Sequence, residues 1–107
     1  MNGHDILVEQ AEVKKVLKNA PAKIYENGIM FAEKQKNYRL GIKEAILKRK
    51  EEGMAVSIVE KVARGDCAEL EHEMTVAEML LKASEENSNV NKRLLDSIEA
   101  TIKREIG

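Results

Sequence analysis

Rings are scarce in this sequence. It holds two tyrosines, one phenylalanine and no tryptophan in 107 residues. A core of this size must then be built from Leu, Ile, Val, Met and Ala. That composition suits helices packed on helices, whose cores are thin and linear. Cysteine is nearly absent as well. The single Cys67 excludes an intrachain disulfide and fits a reducing compartment. Charge of one sign is missing: a net charge of -1 gives no long-range field, which argues against a dedicated duplex-DNA binder and against an acidic DNA mimic. No apolar run approaches the roughly 20 residues that span a bilayer. The opening residues show no basic stretch followed by an apolar one, so the sequence predicts no signal peptide, no membrane partner and a cytoplasmic location.

What is present is helix rhythm. The single proline, Pro21, suits the first turn of a helix and breaks an interior. A first helix is therefore expected over about 5–19 and a second over about 21–52. The first shows Ile6, Val13 and Leu17 on one stripe. The second carries Ile24, Gly28, Phe31, Gln35, Tyr38, Ile42, Ala45 and Arg49 at alternating spacings of four and three, the rhythm of a coiled-coil seam. Gly28 weakens that helix by roughly 1 kcal/mol relative to Ala, and Asn27-Gly28 is a candidate break. Gly53, just past a run of helix formers, reads as the helix stop.

Residues 56–64 are crowded with Val56, Ile58, Val59 and Val62 and read as a short helix closing the end of a hairpin. A third helix is expected over about 66–106. Asp66 would cap it, with Glu69 completing a capping box. Its seam runs Leu70, Met74, Ala77, Leu81, Ser84, Ser88, Asn91, Leu95, Ile98 and Ile102. The predicted fold is all-α and a single domain: a long antiparallel, coiled-coil-like hairpin with a kinked N-terminal helix and a short helix at the turn. Centring the turn near residue 59 sets Tyr38 against Leu80 and Leu81, Gln35 against Ser84, Phe31 against Ser88, Val16 against Ile102 and Ala20 against Ile98. Two helices make a narrow core, so apolar residues beside the seam are expected to drive self-association, with Leu80, Leu94, Leu95, Ile98 and Ile102 as the candidate surface of a homo-oligomer.

Chemistry is sparse. Cys67 and His72 stand five apart on different faces of one helix, with no glycine-framed elbow, so no nucleophile–base pair is expected. Glu69 and His72 have the Glu-x-x-His spacing of carboxylate metal bundles, but no second such pair exists. Gly65-Asp66 is a poor phosphate cradle. No catalysis, metal or cofactor is predicted. The functional candidates are cations: Lys34, Arg39, Lys43, Lys48, Arg49 and Lys50, with Tyr38 among them as a ring that stacks on a base. Lys92, Arg93, Lys103 and Arg104 form a second cluster. Glu33, Glu44, Glu51 and Glu52 interleave the first, and Glu44 to Lys48 is an ordinary i,i+4 pair. This favours a solvated or protein-binding face over nucleic acid.

From Tyr38 to Glu105 the sequence resembles a family of small helical proteins of tailed phages and prophages. The resemblance rests on Glu51 to Met54 with Val56 two residues later, on Val62 to Asp66, on Ala77 to Glu86 and on Ile102 to Ile106. Such genes lie in early and recombination regions. The resemblance implies a partner-binding protein acting on a phage recombination or replication component or on a host defence factor. It implies no catalytic residues. A single-stranded nucleic-acid accessory role is the alternative.

Overall fold

The computed structural model describes residues 3–106 and contains three helices: α1 (Gly3–Glu51), α2 (Val56–Asp66) and α3 (Ala68–Ile106). Among the described residues there is no strand. The fold is the expected long antiparallel helical hairpin. Two compact parts make it up. One is Asn27–Leu81; the other joins the N-terminal stretch through Glu26 to the stretch from Lys82 onward.

Within Asn27–Leu81 the chain reverses in four residues. Gly53 has a φ of 84°, open to a residue without Cβ. The Gly53 N–H donates to the Lys50 carbonyl and the Met54 N–H to the Arg49 carbonyl. These two bonds are a Schellman cap and satisfy carbonyls that the end of α1 leaves open. The return arm begins immediately with α2, whose Val59 and Ala63 are buried. Cys67 alone separates α2 from α3. Its N–H closes α2 on Ala63 and Arg64, and its carbonyl accepts the first bond of α3 from the Glu71 N–H.

Both seams read from the spacing are sheltered. Phe31, Gln35, Tyr38, Ile42, Ala45 and Arg49 are half-buried on α1, and Leu70, Met74 and Leu81 are half-buried around buried Ala77 on the other arm. Small residues allow the approach: a Cβ placed on Gly41 would stand 2.5 Å from Leu70 Cδ1 and 3.5 Å from Cys67 Sγ. In the other part, Val13, Ser88 and Ile98 are buried. Ile6 and Glu9 of α1 share a groove with Leu94, Ile98 and Thr101 of α3, and Val16 and Ala20 share one with Ser84 and Asn87.

Four expectations are corrected. The helix does not break at Pro21 or at Asn27-Gly28; α1 is one helix of 49 residues with proline inside it. Pro21 costs one backbone hydrogen bond, about 3 kcal/mol in isolation, but Ala20, Ala22 and Lys23 beside it are strong helix formers. The short helix does not close the end of the hairpin; it is the first stretch of the return arm. The facing register moves with it. Gly28 lies against Leu81, Tyr38 reaches Glu71 and Gly41 lies against Leu70, so facing numbers in Asn27–Leu81 sum to about 110 rather than 118. The pairings of Tyr38 with Leu80 and Leu81 fall with the old register, as do those of Val16 with Ile102 and Ala20 with Ile98 in the other part. Asp66, finally, is no cap of α3. It ends α2, and its carboxylate is taken by Arg49.

Candidate functional site

The predicted cationic face divides when it is placed on α1. Three of its seven residues turn toward the return arm. Arg49 donates from Nε to Asp66 Oδ2 at 2.8 Å and from Nη2 to Asp66 Oδ1 at 2.7 Å, a two-pronged pair, and its Nη1 reaches Glu52 at 3.2 Å. The hydrogen bonds and charge of Asp66 hold the Arg49 guanidinium well above the usual arginine value. In return, the hydrogen bonds from Arg49 hold the Asp66 carboxyl below the ordinary aspartate value. Tyr38 donates its hydroxyl to Glu71 Oε2 at 3.1 Å, and Lys34 stands 3.7 Å from Glu73. The Arg49–Asp66 and Tyr38–Glu71 bonds tie the two arms together, whereas Lys34 and Glu73 form a longer contact at the surface.

The others stay outside. Arg39, Lys43 and Lys50 are exposed and form no ion pair among the described residues. Lys48 lines a groove with Glu44, Asp66 and Cys67, where its charge helps to lower the Asp66 carboxyl. Reading charge alone missed the leucines that stand between the cations. Lys36 sits seven before Lys43, which sits seven before Lys50. Leu40 and Leu47 fall between them, exposed by 48% and 61%. Lys36, Leu40, Lys43, Leu47 and Lys50 follow spacings of four and three, so they line one outward stripe of α1. The signal was available in the sequence as a second heptad, out of phase with the seam. Glu33, Glu44 and Glu51 flank the stripe on one side, and Arg39 flanks it on the other.

The candidate self-association residues also divide. Leu80 and Leu94 are exposed, whereas Ile98 is buried and Leu95 and Ile102 are half-buried. The last three belong to the seam and cannot face a second copy while the helices stay paired.

Cys67 is buried, and desolvation pushes its thiol up, with Asp66 and Glu44 adding to the effect. A thiol held protonated is a poor nucleophile. His72 lies on another groove, with Met30 and Val76. Among the described residues no three His, Cys, Asp or Glu side chains converge as a metal site requires, and no helix is long and apolar enough to cross a membrane. No protein-family model, curated protein or solved structure matches this chain.

Proposed function

We propose that this protein is a non-catalytic interaction module whose binding face is the outward stripe of α1, and that its partner presents an acidic amphipathic helix. It would work in the cytoplasm. It would be one of the phage-encoded helical proteins its residues resemble, acting on a phage recombination or replication component or on a host defence factor.

The observation that carries this reading is the pair of exposed leucines, Leu40 and Leu47, set between the cations Lys36, Lys43 and Lys50. An amphipathic helix laid along the stripe would bury the leucines and place its carboxylates by the lysines. Peptide helices dock on apolar anchors at this spacing, and charge then sets partner choice. Nucleic acid would use the cations but leaves the leucines without a role. It also needs rings to stack on, and the hydroxyl of Tyr38 is held by Glu71.

The rival reading, a single-stranded nucleic-acid accessory protein, keeps one specific observation: among the described residues Arg39, Lys43 and Lys50 form no ion pair. A titration with two probes separates the readings. One is a synthetic helix with Leu and Glu at heptad spacing; the other is labelled single-stranded DNA. The protein is expected to bind the peptide at physiological salt, to lose it when Leu40 and Leu47 become Asp, and to bind the DNA weakly. Tight DNA binding that disappears when Lys36, Arg39, Lys43 and Lys50 become Gln would replace this proposal with its rival. Arg49 is left intact in that variant because it holds Asp66.

A further inference from the structure

A hairpin of two helices buries little. No large side chain among the described residues is fully buried. A groove runs along one flank of Asn27–Leu81. There Met30, Val76 and Leu80 are exposed by 44%, 40% and 48% around buried Ala77. Lys34 and Glu73, 3.7 Å apart, line the same groove.

We infer that this groove is the interface with a second copy of the chain, two hairpins pairing through Met30, Val76 and Leu80 into a four-helix bundle. The charge pattern selects that occupant. The patch carries one cation, one carboxylate and the imidazole of His72 around an apolar centre, and its Lys34 and Glu73 charges make it complementary to itself. In a two-fold interface Lys34 of one copy meets Glu73 of the other, and the reverse contact follows by symmetry. The outward stripe of α1 has only cations and leucines, and two copies of it would repel each other. Self-association therefore uses the groove and leaves the stripe open. The inference does not rest on the partner reading, because it concerns a different face and is tested with the purified protein alone.

The test is sedimentation equilibrium across a concentration series from nanomolar to high micromolar. The wild type is expected to reach twice the chain mass. Leu80→Glu should raise the dissociation constant about a hundredfold, the loss expected at a central interface anchor. Leu47→Glu, on the outward stripe, should leave it unchanged. Lys34→Glu and Glu73→Lys are each expected to weaken pairing, and mixing those two chains should restore it as a heterodimer. Both chains in that mixture carry like charges within themselves, so rescue can arise only between copies. A wild type that stays monomeric throughout, a Leu80→Glu variant that pairs like the wild type, or a mixture no better than its components would overturn the inference. Should circular dichroism find Leu80→Glu unfolded, the mixing experiment decides alone.

Discussion

Two faces of one helix, the inner and outer sides of α1 after Asn27, carry the same rhythm and meet opposite fates. Inside, Gly28, Phe31, Gln35, Tyr38, Ile42, Ala45 and Arg49 alternate at spacings of three and four and are sheltered by the return arm. Outside, Lys36, Leu40, Lys43, Leu47 and Lys50 alternate in the same way and are exposed. Spacing alone does not decide which stripe becomes core. The inner stripe contains Gly41 next to it, which lets Leu70 and Cys67 come close, and polar groups with partners at fixed positions: Tyr38 with Glu71, Arg49 with Asp66. The outer stripe has lysines at every second position, which cannot be buried without carboxylates to meet them. A heptad whose polar groups find partners becomes a seam, and one whose charges are unmatched stays at the surface.

The largest test of this contrast is a charge on each stripe. Leu81→Asp puts a carboxylate in the seam against Gly28 and is expected to cost about 2–3 kcal/mol, with a clear drop in the urea midpoint. Gly53→Ala should cost about 1–2 kcal/mol, because the Schellman cap needs a positive φ that Ala resists. Gly28→Ala works in the other direction. A new Cβ there would lie 4.0 Å from Leu81 Cδ1, an ordinary contact, so the helix propensity of Ala should raise stability by about 1 kcal/mol. Smallest of all, Leu47→Asp on the outer stripe should change stability by no more than about 0.5 kcal/mol. Equal losses from Leu81→Asp and Leu47→Asp would erase the distinction between the faces.

Acid should loosen the seam through Asp66. Its carboxyl titrates lower in the folded chain than the ordinary value of 3.8, because Arg49 donates to the charged form. The unfolded chain therefore takes up the proton first. The stability Asp66 contributes is present above the ordinary value and is lost as pH falls through the folded one. Thermal melts recorded from neutral to acid pH should show a decline below pH 3.8 that is shallower in Asp66→Asn. An identical pH profile for the variant would remove Asp66 from the account.

Much of the fold was legible because helical chains write their core positions as a period. Both seams and the helix stop at Gly53 could be read from residue order. The register was not, because it depends on where the turn is centred. The β-branched run from Val56 to Val62 looks the same in a helix that closes a hairpin and in one that begins its return arm. Only the burial of Val59, Ala63 and Cys67 along the seam distinguishes them. Pro21 was misread for a related reason: its local cost is known, but neighbouring helix formers and a packed arm outweigh it. The candidate face was half legible. Charge located Arg39, Lys43 and Lys50, and also drew in Lys34 and Arg49, which long side chains commit to acids on the other arm. Leu40 and Leu47 escaped notice because exposed leucines carry meaning only once the seam is known to lie elsewhere.

The central claim is that the outward stripe of α1 binds protein. It is tested most directly by following the leucine methyl signals of the labelled protein by nuclear magnetic resonance while the Leu/Glu peptide is added at physiological salt. The account predicts that Leu40 and Leu47 shift with saturation, that Leu70 and Leu81 stay in place, and that single-stranded DNA moves neither pair. Saturable shifts of Leu40 and Leu47 with DNA, and none with the peptide, would contradict it.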